Sequence, residues 1–198
     1  MAAIAAEQVK ALRDKTGAGF GECKAALAEA NGNLDDAVTI LRKRGLAQAA
    51  KRVGRSTQQG QIGAYIHAGG KIGVLIEVNC ESDFVANTDD FKNLMKELSM
   101  QVAAADPKYV SREDVPAEEL EREKGIYRAQ VEGKPANVIE KIVEGKLNSY
   151  FERFCLVDQP SIRDGSVKVS DLIAQVIAKL GENITVSRFT RYKLGEGA

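Results

Sequence analysis

Three features of the chain predict an α+β fold: three short helical patterns separated by glycine in the first 45 residues, a strand–turn–strand pattern around Gly69-Gly70, and longer amphipathic helical patterns interleaved with strands beyond it. The expected architecture is an N-terminal three-helix bundle followed by a core in which a small antiparallel sheet packs with helices. At 198 residues the chain is long enough to bury such an interior.

In the bundle, Val9 and Leu12 mark a first helix that stops at "TGAG", and Ala26, Leu27 and Ala30 mark a second that stops at Asn31-Gly32. Asn33 is placed to cap the third. Asp35 and Asp36 stand in its first turn, Val38 and Leu41 line one face, and Arg42, Lys43 and Arg44 precede Gly45 as a helix dipole favours. The following "LAQAAKRVGRSTQQGQ" loses large apolar residues and gains Gly, Ser and Gln, the composition of a linker whose first half has helical character. The boundary is placed near Arg55, which divides the chain into 1–54 and 55–198.

The core opens with "QIGAYIHA", a two-residue Gly69-Gly70 turn and "KIGVLIEVNC", which together read as a β-hairpin. Ile72, Val74, Ile76, Val78 and Cys80 alternate on one face, opposite Leu75, Glu77 and Asn79. Thr88, Asp89 and Asp90 start a helix carrying Phe91, Leu94, Met95, Leu98 and Val102, ended by Asp106-Pro107. Pro116 opens another helix through about Val131, and the apolar positions from Val138 to Phe154 carry one or two more. Ser170 and Asp171 begin a helix with Leu172, Val176, Ile177 and Leu180, stopped by Gly181, and "NITVSRFTRYKL" closes as a strand.

Twenty-eight basic residues balance twenty-eight acidic ones, so the totals imply no generic attraction to nucleic acid or to an anionic membrane. No run approaches the roughly 18 apolar residues that would span a bilayer, and the expected location is the cytoplasm. Cys23, Cys80 and Cys155 are far apart, odd in number and form no CxxC, which suggests neither a zinc site nor a disulfide framework.

The local motifs mostly read as structure. "GAGFG" at Gly17 to Gly21 follows a helix instead of a strand and lacks dinucleotide-loop spacing. "HAGGKIG" has Tyr65 at the first glycine position of a phosphate loop and Ile72 where a hydroxyl should hold magnesium, so it is a hairpin turn. His67 is the sole histidine, with no triad partners nearby, and reads as solvated. Asp89 and Asp90 diverge on a helix and find no third acid at metal-ligand spacing. The basic run "LRKRG", with Lys51, Arg52 and Arg55, lacks interleaved aromatics and reads as a solvated face or the neighbourhood of a partner. That leaves "ESDFV". On residue pattern alone Ser82 or Asp83 is a helix cap and Phe84 is a core side chain, yet a turn requires neither the carboxylate nor the ring.

Two strings, "LRDKTGAGFGECKAAL" (Leu12 to Leu27) and "EVNCESDFVAN" (Glu77 to Asn87), resemble the paired signatures of the bacterial elongation factor Ts family in order and separation. The resemblance covers essentially the whole chain and implies that the N-terminal three-helix bundle is of the ubiquitin-associated type. It implies a guanine-nucleotide exchange factor for elongation factor Tu, without enzymatic chemistry or a cofactor of its own. In the family a TDFV motif enters the partner's nucleotide domain, where its aromatic ring disturbs the magnesium site; by position that motif is Ser82, Asp83, Phe84 and Val85 here. The first signature implies that Arg13, Phe20 and Lys24 face the partner, while Gly21, where members often have methionine, offers less surface. The chain holds one core unit, and short members of the family are expected to pair as homodimers. Some reinforce that contact with a cysteine in "RRFCRF"; here "SRFTRY" has Thr190, so any dimer is non-covalent. Two rival readings are a ubiquitin-binding adaptor, based on the bundle and its "GAGF" loop, and a small enzyme using Asp83 and His67. Neither accounts for the whole of "SDFV".

Overall fold

The computed structural model describes residues 4–196. Helices α1 (Ala6–Thr16), α2 (Phe20–Glu29) and α3 (Leu34–Ala50) form the N-terminal bundle. Its interior is Val9, Leu12, Cys23, Ala26, Leu27, Ala37 and Leu41. Small residues at Cys23, Ala26 and Ala37 let three short helices approach closely. The Asn33 side chain caps α3 by accepting from the amides of Asp35 and Asp36.

α3 does not stop at Gly45. It continues to Ala50, because the glycine serves a helix crossing and not a terminus: a Cβ placed there would lie 3.3 Å from Cβ of Ala178 on α8 (Val169–Leu180). The close approach lets the end of α3 lie along α8, and Ala49 is buried in the interior of the core unit. Arg42 reinforces the crossing through a 2.6 Å ion pair with Asp171, and the stem of Lys179 lies beside the backbone of Gly17. The segment 51–58 therefore connects two units that already touch.

The core sheet is antiparallel with strand order β1–β2–β3, formed by Gln59–Ile66, Ile72–Cys80 and Ile184–Lys193. The hairpin connection is wider than the two-residue turn expected. His67 N–H donates to Ile72 C=O and Gly70 N–H to His67 C=O, so residues 68–71 form the loop. Gly60 near the start of β1 has φ +148°, and a Cβ there would sit 2.2 Å from the carbonyl oxygen of Val78; only glycine fits this approach. On β3, Ser187 is an extra residue between the pairs Glu77↔Arg188 and Val78↔Val186. This bulge lets Val186 and Phe189, three apart, both pack against the core cluster.

The inner face of β2, Val74, Ile76, Val78 and Cys80, packs with α5 (Asp89–Ala105) and α8 through Phe91, Leu94, Leu98, Val102, Ile173 and Ile177. The opposite face carries Ile62, Ile66, Leu75 and Tyr192, all exposed. Between α5 and α8 the chain forms an antiparallel helix pair, α6 (Ala117–Ala129) and α7 (Ala136–Phe154), with a small interior of Val115, Tyr150 and Cys155. Tyr109 and Tyr150 both donate to the Glu119 carboxylate, at 2.7 and 2.5 Å. No helix among the described residues is long and apolar enough to cross a membrane.

Candidate functional site

The segment after β2 builds one turn of helix, α4 (Asp83–Ala86), immediately before α5. Ser82 is in extended conformation and caps α4, its Oγ accepting from the Val85 amide at 3.3 Å. Val85 and Ala86 are buried against the core, while Asp83 and Phe84 point to solvent. Phe84 is 80% exposed. The expectation of a core phenylalanine, drawn from residue pattern, is thus overturned. Four residues of helix have two faces, and the inner one is taken by the smaller pair Val85 and Ala86.

The turn is held at each end. The Thr88 hydroxyl donates to Val85 C=O at 2.8 Å while accepting from Phe91 N–H at 3.3 Å, which couples α4 to the start of α5. Asn87 Nδ2 donates to Asp83 C=O at 2.9 Å. On the other side, Ser82 donates twice to Glu182: from Oγ to Oε1 at 2.6 Å and from the backbone N–H to Oε2 at 2.9 Å. The Cys80 thiol donates to Ser82 C=O at 3.0 Å. Burial pushes that thiol above its ordinary range, followed by the nearby Glu182 charge, so the neutral, unreactive form lies beneath the motif.

Neither Asp83 nor Phe84 has a side-chain hydrogen bond or ion pair among the described residues, and the ring is left without a covering layer. A rigid aromatic held out on a pinned turn, beside an unengaged carboxylate, can fill a partner's pocket and accept charge-assisted hydrogen bonds there.

The N-terminal candidates are also exposed. Phe20, 57% exposed, and Lys24 stand one turn apart on α2 and so share a face, and Arg13 is exposed on α1. None of the three is in an ion pair among the described residues. Gly21 is exposed with open space around it. α2 packs on α1 and α3, whereas α4 packs on β1, β2 and α5, so the two groups belong to separate surfaces.

Other candidates take structural places. His67 is exposed and its Nδ1 is 3.0 Å from the Tyr65 hydroxyl. Asp90 pairs with Lys179 at 2.7 Å. Within the basic run, Arg42, Arg44 and Arg55 pair with Asp171, Glu29 and Glu81. A cleft of about 230 Å³ between the bundle and α8 has Lys15, Arg42, Arg44 and Lys179 in its wall, and each of these cations already has a carboxylate partner. Sequence reasoning missed Glu182. Its only signal is a carboxylate following a helix-ending glycine, which has no chemical meaning until the fold brings it to Ser82.

A family model described as "Elongation factor TS" matches residues 3–196. The chain is similar to "Elongation factor Ts" of Caldanaerobacter subterraneus subsp. tengcongensis, at 58% identity over 196 residues covering 98% of each protein. It is 59% identical over 194 residues to the protein of that name from Thermotoga sp. (strain RQ2), again covering 98% of each. Against that of Moorella thermoacetica it is 58% identical over 196 residues, covering 98% of this chain and 97% of the other. A whole-length family match together with relatives this similar leaves one conclusion: the chain belongs to the elongation factor Ts family of translation elongation factors.

Proposed function

We propose that the chain is a guanine-nucleotide exchange factor for elongation factor Tu, working in the cytoplasm on a protein partner and catalysing no covalent step. The observation that carries this reading is Phe84, 80% exposed on a helical turn whose cap and inner residues are fixed. A free protein gains nothing from displaying that ring. A factor that must intrude into a nucleotide site does.

In this reading the factor docks through Arg13, Phe20 and Lys24 of the bundle, and Ser82 to Val85 reach the nucleotide domain. The Phe84 ring then occupies space that the intact magnesium and phosphate site requires, with Asp83 accepting hydrogen bonds from partner donors exposed by the shift. Exchange follows from linkage, since a surface that the factor and GDP cannot both satisfy makes each weaken the other by the same ratio. The crossing of α3 on α8 keeps the docking and intruding surfaces on one scaffold, so docking of the first raises the local concentration of the second.

Release of a fluorescent GDP analogue from elongation factor Tu tests the reading. Adding the factor should accelerate release in a saturable manner, and a rate unchanged at micromolar factor would overturn it. Titration with ubiquitin addresses the adaptor reading, which requires saturable binding; the exchange reading expects none.

We also propose that the protein is a homodimer through the outer face of its sheet. Ile62, Ile66, Leu75 and Tyr192 form an exposed apolar surface there, with Thr190 opposite Leu75 across the β2–β3 ladder. An antiparallel sheet with one face on a core ordinarily shows polar residues on the other. β3 is an edge strand, but the apolar residues that call for cover lie on the sheet's face and not along its edge.

A further inference from the structure

We propose that Glu182 is the positioning residue of the exchange site, setting the direction in which α4 presents Phe84; this rests on the reading of Phe84 as the intruding group. The carboxylate is half-buried, follows Gly181 at the left-handed end of α8, and has no ion-pair partner among the described residues. Its two oxygens both engage Ser82, the first residue of the motif, at 2.6 and 2.9 Å.

This arrangement fixes a proton. An ionised carboxylate only accepts, so the Ser82 hydroxyl must donate to Glu182, which leaves an oxygen lone pair directed to the Val85 N–H. The cap of α4 is therefore oriented from outside the helix. The adjacent residues reciprocate: Asn183 N–H donates to Glu81 at 2.7 Å, and Arg55 stands 3.6 Å from the same carboxylate. Two neighbouring carboxylates thus tie the end of β2 to the start of β3, just beyond the Cys80↔Ile184 pair.

External orientation matters because α4 has four residues, too few for its own helical bonds to hold it. Val85 and Ala86 fix its depth through burial, but the ring, 80% exposed, has little packing of its own to select its direction. Removing Glu182 leaves the Ser82 amide without its acceptor and frees the hydroxyl to rotate. Gln at 182 can still accept from the Ser82 amide through its oxygen, but its NH₂ then donates to the Ser82 hydroxyl, so the charge is lost and that hydroxyl's proton is no longer fixed.

The experiment compares GDP release from elongation factor Tu with wild type, Glu182→Ala, Glu182→Gln, Phe84→Ala and the Glu182→Ala/Phe84→Ala double variant, each across a range of factor concentrations. Glu182→Ala should lower the saturating rate by about 10- to 100-fold, the scale of a misplacement near 1 Å, while the half-saturating concentration, set mainly by the bundle, moves less than about 2-fold. Glu182→Gln should fall between the two, and its preserved volume supplies a folded comparison if the alanine variant unfolds. In the Phe84→Ala background, Glu182→Ala should add nothing, because a positioning residue acts only through the group it positions. An unaltered rate in both Glu182 variants, or a loss that adds fully to that of Phe84→Ala, would overturn the inference while leaving the wedge intact. No loss in Phe84→Ala itself would overturn both.

Discussion

Truncating Phe84 tests its proposed role as an intruding ring, and the structure sets the expected sizes. The ring is 80% exposed, so about one-fifth of its surface is covered by the protein. Full burial of a phenylalanine stabilises by ~1.5–3 kcal/mol, so Phe84→Ala should cost about 0.3–0.6 kcal/mol of stability. Phe91, seven residues later and 0% exposed, is the internal control: its replacement by alanine should cost ~3–5 kcal/mol. For a chain of this size each kcal/mol shifts the melting temperature by about 2–4 °C. Phe84→Ala should therefore melt within about 2 °C of wild type, and Phe91→Ala about 6–20 °C lower. Nucleotide exchange should show the reverse order. Coupling free energies between two ligands are typically ~1–3 kcal/mol, so loss of the ring should slow factor-stimulated GDP release by about 5- to 150-fold. Phe91→Ala, assayed well below its melting point, should retain most of its activity. Stopped-flow release and thermal unfolding of the same preparations supply both numbers. A Phe84→Ala protein that melts early, or that releases GDP at the wild-type rate, would refute the reasoning.

The proposed homodimer makes a direct prediction: Leu75→Arg on the outer sheet face should convert a dimer into a monomer in sedimentation velocity without lowering the monomer's helicity, and a wild-type protein already monomeric at micromolar concentration would remove the idea. Lys24→Glu on α2 should raise the half-saturating factor concentration in the release assay by about tenfold or more, the scale of 1.4 kcal/mol, with the saturating rate preserved; the point variant is preferable to deleting the bundle, because α3 covers part of α8. Gly60→Ala should destabilise by at least ~1–3 kcal/mol, since φ +148° and the 2.2 Å approach to Val78 admit no side chain; an unchanged melting temperature would contradict the geometry. In alkali, burial raises the Cys155 thiol from 9.0 to about 11, and the Glu119 hydrogen bond, then burial, raises the Tyr109 phenol from 10.0 to about 12. Below about pH 9 these groups are protonated in both states and their contribution is complete; from about pH 9 to about pH 12 the unfolded chain releases protons that the folded chain keeps, so stability should fall. A melting temperature flat across that window would sink this account.

Legibility in the sequence followed the range of the interaction involved. Asn33, Thr88 and Gly181 act within one turn of their own helix, and each was readable from its neighbours. The β1–β2 hairpin was readable as well, since alternation and a glycine pair are local signals. Gly45 was misread as a stop because local pattern cannot distinguish a glycine that ends a helix from one that lets a second helix approach; Ala178 lies 133 positions away in the chain. The bulge at Ser187 was hidden for a related reason, as it is defined by the register against β2 and not by β3 itself. At the site, "SDFV" is singled out through family resemblance, whereas residue pattern alone favoured a buried ring, and the structure exposes it. The anchor Glu182, one hundred residues from Ser82, carried no local sign.

The position of the motif explains how so short an element can carry an exposed ring. β2 is the central strand and is paired on each side, so its end is among the better fixed points of the core. A turn placed there inherits that rigidity from Cys80 and Glu81, while Thr88 passes it on to the 17-residue α5. The same four residues on a loop tip would have to be ordered on binding, and the entropy of that ordering, about 1–2 kcal/mol per residue for the backbone, would come out of the coupling. Over four residues the cost is about 4–8 kcal/mol, more than the ~1–3 kcal/mol that typically separates two linked ligands. A wedge acting as proposed therefore gains from being ordered before it meets its partner, and in that proposal the double anchor of Ser82 on Glu182 supplies the order.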